Sequence, residues 1–261
     1  MSIVGAIIGD IAGSQFEFDR CKDPDKCELF TEQCDFTDDT VMSLAVKYAI
    51  DNKIPFGDAM RRIGQKYQFC GYGGKFYSWM FSLNPRPYNS FGNGSAMRVS
   101  YVADHYNDLK DVQKVAKETA LPTHNHPEGI RGAVVTATCI WMAKNGKGKQ
   151  EIYDYVLFEY PEDKYKYSIS RSIEELVPAY KWNETCQGSV PVAMRCFYES
   201  DSYESFLRNL FRLDCDTDTL AAIGGSVAEE FYKGTGLNNK EILNRYLDDS
   251  LLSILNKKNE T

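Results

Sequence analysis

Apolar residues recur at helical spacing through most of this chain. Within 39–50, Val41, Leu44, Ala45, Tyr48 and Ala49 follow the i, i+3, i+4, i+7, i+8 stripe that lays one helix face on a core. The stretch Pro127–Lys144 opens with Pro and Glu, as a first helical turn should, and runs on through Ala133, Val134, Ala137 and Ile140. A third helix is expected over 218–232, behind an Asp/Thr cap and rich in Ala, Gly and Leu. The same reading predicts helices at 58–69, 109–120, 170–181, 189–199, 203–213 and 239–255. Alternation at period two is scarce, and 28–36 is the best, though poor, strand candidate. Gly132 and Gly224-Gly225 lower helix propensity but let neighbouring helices approach closely. No fixed-period repeat, low-complexity run or Pro/Gly/Ser linker divides the chain. The expectation is an all-α fold, a single domain over residues 1–261 built as a bundle of many helices.

Composition narrows the function classes. The 30 Lys+Arg against 37 Asp+Glu give a net charge of −7, the wrong balance for a protein that coats nucleic acid, whose phosphate backbone demands a surplus of cations. General nucleic-acid binding is therefore not expected, while a small anion held by backbone N–H groups and a metal stays open. The uncharged stretch 132–143 is about half of the roughly 20 residues a membrane span needs. The opening Met-Ser-Ile-Val-Gly has no basic region and does not read as a signal peptide. A soluble, cytoplasmic protein is expected, with a monomer favoured although no residue pattern states the oligomeric state. The eight cysteines include no C-x-x-C pair, and Cys139 and Cys196 sit in apolar runs. Of three histidines, His124 and His126 lie two apart with no Cys at finger spacing. The thiols read as reduced packing residues, not as a zinc site or a disulfide framework.

The chemistry lies elsewhere. Two similar quartets, Thr37-Asp38-Asp39-Thr40 and Asp216-Thr217-Asp218-Thr219, each precede an apolar helical run. Asp and Thr are good N-caps, and carboxylates favour the positive end of a helix, so each quartet alone reads as a cap. Capping needs only one side-chain oxygen, however, and crowded carboxylates are unfavourable unless a cation neutralises them. Hard divalent cations take oxygen ligands of this kind. If the fold joins the two helix starts, four carboxylates and two Thr hydroxyls could hold one or two metals. An EF-hand fails, because a loop begun at Asp214 has Thr219 at its sixth position and Gly225 at its twelfth. An aspartyl-phosphatase Asp-x-Asp would end a buried strand, whereas the residues before Asp216 read helical. Glu17, after Gly9-Asp10-Ile11-Ala12-Gly13, is a third acid that alone would be a solvated loop charge.

Two further segments can meet a ligand. Ser90-Phe91-Gly92-Asn93-Gly94-Ser95-Ala96-Met97-Arg98 is a glycine-rich loop read as opening into a helix, able to aim N–H groups at a phosphate. It lacks the Gly-Lys-Ser/Thr of a Walker loop and follows no strand, so a Rossmann turn is unsupported. Thr123-His124-Asn125-His126-Pro127 also sits just before a helix, where capping or core burial is the ordinary role of a histidine.

In this order, Gly9-Asp10-x-Ala12-Gly13…Glu17, Phe36-Thr37-Asp38-Asp39-Thr40, Gly92-Asn93-Gly94-Ser95-Ala96-Met97-Arg98, Thr123-His124 and Asp216-Thr217-Asp218-Thr219 resemble the ADP-ribosylglycohydrolase family, which includes the nitrogenase-reactivating glycohydrolase and the vertebrate ADP-ribosylhydrolases. The resemblance implies an orthogonal all-α bundle with a dinuclear Mg²⁺ (or Mn²⁺) cleft and cleavage of a ribose C1″ bond, releasing ADP-ribose from a modified protein side chain or a small molecule. Carried over by motif, it makes Thr37, Asp38, Asp39, Asp216, Asp218 and Thr219 metal ligands. Glu17 or Asp39 becomes the acid/base group. Ser90, Phe91, Gly92, Asn93, Gly94, Ser95 and Met97 would embrace the ligand, with Phe91 stacked at the adenosine end and His124 contacting the ADP-ribose. The chain departs from the family in two places. Asp214-Cys215 replaces a common Gly-Gly and adds a charge near the metals, and Ser90 stands where the nitrogenase-reactivating branch has Asp.

Such a hydrolysis passes through an oxocarbenium-like state, as glycoside cleavage does. Two other classes compete. A binding module without catalysis would tolerate loss of the Asp quartets, which are complete here. A metal-dependent phosphohydrolase would split the pyrophosphate and yield AMP and ribose phosphate in place of intact ADP-ribose.

Overall fold

A computed structural model describes residues 1–257, and among them every regular element is helical: fourteen α-helices, a single 3₁₀ turn and no strand. The centre is α1 (Ser2–Ser14), which is buried from Ser2 to Gly13. Its Gly5, Gly9 and Gly13 recur every fourth residue and so form one bare strip. On that strip α12 (Thr217–Tyr232) lies antiparallel. A Cβ added at the three glycines would stand 2.4 Å from Gly225 O, 2.3 Å from Ala221 O and 2.6 Å from Thr217 O. No real side chain fits at such distances, so the two helices meet backbone to backbone.

The remaining helices wrap this pair. α2 (Asp38–Asn52) packs on α1, with α3 (Phe56–Gly64) beside it and α4 (Gly74–Phe81) beyond. After the 3₁₀ turn Asn93–Ser95, α5 (Ser100–His105) leads to α6 (Leu109–Ala120) and to α7 (Pro127–Lys144), which packs on α6 and α12. α8 (Lys149–Glu159), α9 (Ile173–Ala179), α10 (Cys186–Tyr198) and α11 (Tyr203–Phe211) complete the far side. α13 (Asn239–Tyr246) and α14 (Asp249–Asn256) close the chain over α1 and α2. One continuous apolar core runs through all of it. All eight cysteines are free thiols, six of them buried. No helix among the described residues is long and apolar enough to cross a membrane.

The helices anticipated at 39–50, 109–120, 127–144 and 218–232 are present within a residue or two. Gly132 and Gly224 do sit in tight contacts, a Cβ at each falling 2.3 Å from Cys186 Sγ and 2.5 Å from the Phe206 ring. Four expectations need correction. The segment 28–36 forms no strand, because its carbonyls at Glu28 and Leu29 accept from the Gln15 side chain and no partner edge lies beside it. The helix expected at 58–69 stops at Gly64, where Gln65 and Lys66 turn back onto Arg61 O and Ile63 O. The span 239–255 is two helices, since Leu247 is extended and Asp248 caps the second by accepting from Leu251 N at 2.9 Å. The glycine-rich loop opens into the short 3₁₀ turn, and α5 begins only at Ser100.

Candidate active site

Three helix ends meet at one point, the C-terminal half of α1 and the N-termini of α2 and α12. Asp10 stands on α1 in an otherwise apolar stretch and is fully buried. Its carboxylate accepts from Thr37 Oγ1 at 2.8 Å, Thr37 N at 3.0 Å, Thr40 N at 3.1 Å and also Thr40 Oγ1. An acid from one helix thus supplies the anion that the start of another prefers. Thr37 caps its own helix as well, its hydroxyl accepting from Asp39 N at 3.2 Å. Across the gap, Thr219 Oγ1 donates to Asp39 Oδ2 at 3.0 Å and Asn93 Nδ2 donates to Asp216 Oδ2 at 2.7 Å. The two quartets, far apart in sequence, are in direct contact.

The carboxylates form two triads. Oxygens of Asp10, Asp39 and Asp218 lie within 4.8 Å of one another, as do those of Glu17, Asp216 and Asp218. Asp218 belongs to both. Burial pushes every one of these acids up. Asp10 and Asp216 rise to about 6, and Glu17, with Asp218, Asp10 and Glu184 facing it, rises to about 8. Asp38 and Asp39 are driven well above the carboxylate range by burial and then by Asp218, and Asp218 by burial and then Asp216. Among the described residues no ion pair reaches the six acids. Asp39 Oδ1 is buried with no hydrogen-bond partner at all. Crowded, dry carboxylates with an orphaned oxygen and no organic cation are the donor set of a hard divalent ion, and the residues fit such a group.

Above the triads opens a cleft of about 230 Å³. Glu17, Asp38, Asp216, Asp218 and Thr219 form its acidic side, and Ser90, Gly92, Asn93, Gly94, Met97 and His124 form the opposite wall. Thr37 and Asp39 lie behind the floor. The wall is tied in place by Asn93 N donating to Glu184 O at 2.7 Å and Cys186 N donating to Phe91 O at 2.9 Å. This short extended pairing explains where Phe91 stands. Side chains alternate along such a segment, so with Ser90 and Gly92 turned inward, Phe91 points away. It is 45 % exposed, its ring 5.2 Å from that of His126, and it does not line the cleft. Ser95 is also withdrawn, fully buried with its hydroxyl donating to Gly129 O at 2.7 Å.

Asp214 faces outward too, its carboxylate accepting from Lys181 Nζ at 3.4 Å on the surface. The charge that replaces a family glycine is therefore turned away from the acidic cluster. Sequence reasoning assigned no role to Asp10, Arg98, Tyr88, Trp182 or Glu184, although the last four line the cleft. Asp10 had a signal, a lone carboxylate amid Ile7, Ile8 and Ile11. Trp182 and Glu184 had none, since only folding brings their loop alongside Asn93.

Residues 1–236 match the family model for ADP-ribosylglycohydrolases. The chain belongs to the ADP-ribosylglycohydrolase family. As a member it is a hydrolase of glycosidic bonds; the family is metal-dependent, and the two acidic triads are clusters that could hold a metal. Among curated relatives, ADP-ribosylhydrolase ARH3 of Homo sapiens is 28% identical over 304 aligned residues, covering 88% of this chain and 84% of that protein. The Bos taurus ARH3 is 27% identical, with 88% and 83% covered. A solved structure titled ADP-ribosylglycohydrolase-related protein complex superposes with a TM-score of 0.72 over 97% of this chain and 93% of its own, at 20% identity. That likeness shows the all-α fold of the family.

Proposed function

We propose that the chain, acting as one domain over residues 1–261, hydrolyses the ribose C1″ bond of ADP-ribosylated protein side chains or small molecules and releases intact ADP-ribose. The observation that carries this is the pair of acidic triads sharing Asp218 at the floor of a cleft whose other wall is the glycine loop. Two divalent cations, Mg²⁺ or Mn²⁺, would be held by Thr37, Asp38, Asp39, Asp216, Asp218 and Thr219, with Asp10 behind them. When bound, such ions grip sugar hydroxyls and lower the pKa of a coordinated water.

The chain's own residues do the rest. Glu17 reaches into the cleft, where burial and the facing Asp218, Asp10 and Glu184 raise its carboxyl in the metal-free protein; by position it is the better placed acid for the departing group. Asp39 is sealed behind the floor by Thr37 and Thr219, which suits holding a cation more than moving a proton. Asn93 fixes the direction of Asp216. Ser90, Gly92, Gly94 and Met97 wall the pyrophosphate, Phe91 is the exposed ring for the adenosine end, and Ser95 anchors the loop from within. A Cβ at Gly92 or Gly94 would stand 3.5 or 3.4 Å from His124 Nε2 and narrow the wall there. Eight free thiols suit the reducing cytoplasm, and the reading takes a monomer.

The test is product analysis. Purified protein with Mg²⁺ or Mn²⁺, with and without chelator, is given arginine-, serine- and acetyl-linked ADP-ribose. Intact ADP-ribose from at least one, abolished by chelator and by Asp216→Ala, is the expected result. AMP with ribose phosphate would replace the proposal by pyrophosphate hydrolysis. Metal-dependent ADP-ribose binding without release from any of the three would make the site a binding module.

A further inference from the structure

Among the described residues Arg98 is the largest fully buried side chain, and no carboxylate there pairs with it. Its guanidinium donates from Nη2 to Thr119 O at 2.9 Å and to Thr123 Oγ1 at 3.0 Å. Thr123 Oγ1 in turn lies 2.7 Å from His124 Nδ1, and both residues are buried. A guanidinium only donates, so the Thr123 oxygen accepts from Arg98. Its one proton then has Nδ1 as its acceptor. With a proton on Nδ1 instead, the hydroxyl hydrogen would be stranded in a dry interior with nothing to accept it.

We infer that Arg98 and Thr123 form a relay that locks His124 as the Nε2–H tautomer, turning the cleft face of the ring into a hydrogen-bond donor for an anionic or hydroxyl oxygen of the ligand. Nε2 faces the strip left bare by Gly92 and Gly94, and Thr123 is the only protein hydrogen-bond partner of the ring among the described residues. Burial, and then the nearby Arg98 charge, push the imidazole well below its ordinary value and keep it neutral. Arg98 and Thr123 are thus positioning residues that act through His124. The ligand half of the inference rests on the ADP-ribose reading above, while the tautomer itself does not.

Two-bond proton–nitrogen correlation spectra of histidine-labelled protein read the tautomer directly, and with three histidines in the chain the signals are readily assigned. The relay requires a neutral His124 carrying its proton on Nε2 at pH near 7, which is preserved in Thr123→Ser and mixed in Thr123→Val. Calorimetric affinity for ADP-ribose is expected to fall ~3- to 10-fold in Thr123→Val, the worth of one hydrogen bond, and to stay within about twofold in Thr123→Ser. Arg98→Met should mix the tautomers as well; should it fail to fold, the wild-type spectrum and the two Thr123 variants decide alone. A wild-type His124 protonated on Nδ1, or doubly protonated, overturns the relay. Unchanged affinity in Thr123→Val overturns its role in binding. A wild type with the expected tautomer but no affinity for ADP-ribose supports the relay and refutes the functional reading with its ligand half.

Discussion

The two Asp/Thr quartets look alike in sequence and are used differently. At α2 the helix start is over-satisfied: Thr37 caps it, and Asp10 reaches across from α1 to take Thr37 N and Thr40 N. At α12 the N-cap Asp216 makes no capping bond, and its carboxylate turns into the cleft toward Asn93 and Glu17. The difference shows how a protein frees carboxylates for chemistry at a helix end. At α2 a borrowed acid does the capping, so that Asp38 and Asp39 are released; at α12 the cap is simply forgone. A capping residue contributes about 1 kcal/mol, little beside what a divalent ion would return there by stabilising only the folded form.

Breaking the element common to both ends has the largest expected effect. Asp218→Asn removes the one acid shared by the triads, and turnover should fall by about 10³-fold or more; activity within tenfold of wild type would mean the triads are not the reacting centre. Asn93→Ala releases only the α12 side, and Mg²⁺ or Mn²⁺ affinity by calorimetry should drop about 10- to 100-fold. Thr40→Val strikes only the α2 side, where it strips a hydroxyl from buried Asp10. Urea melts of the metal-free protein should show a loss of about 1–3 kcal/mol, with metal affinity little changed. Similar responses of affinity to both substitutions would erase the distinction between the two ends.

A pH series sharpens it further. In chelator, Asp10 and Asp216 rise from 3.8 to about 6 and Glu17 from 4.5 to about 8 on folding. The folded, metal-free form therefore holds protons that the unfolded chain has released, and its stability falls as pH climbs through that window, from near 4 to near 8. The melting temperature should drop by several degrees across it, and excess Mg²⁺ or Mn²⁺ should flatten the slope. A melting temperature that rose over the same range would contradict the crowding of these acids. Smallest of all, Asp214→Asn should change turnover by less than about twofold, because a surface pair with Lys181 contributes little.

Much of this was legible before folding. The striped helices α2, α6 and α7 announced themselves by period, and the order of the acidic and glycine motifs pointed to one cleft. α1 was hidden for a physical reason. It is buried on every face, so Ile3, Val4, Ile7, Ile8 and Ile11 leave no polar side to set a period, and its glycines depress helix propensity. The outward direction of Phe91 was not legible, because it depends on a pairing with 184–186 that no local rule contains. Between Glu17 and Asp39, which spacing alone leaves equal, folding adds a difference of position: Glu17 lines the cleft and Asp39 does not.

The bare strip of Gly5, Gly9 and Gly13 has a mechanical consequence. Where helices meet through side chains, rotamers can give and the pair can slide by fractions of an ångström. Here the glycine strip of α1 lies on the main chain of α12 at Gly225, Ala221 and Thr217, with the Glu229 side chain also against Gly5, so these contacts have little room to give and hold the spacing of Asp10 from Asp218 closely. The floor of the cleft acts as an anvil. Whatever room a substrate needs on entering has to come from elsewhere than this contact. The same three glycines that hide α1 from a periodicity search thus set how far apart the acids of the cleft floor stand.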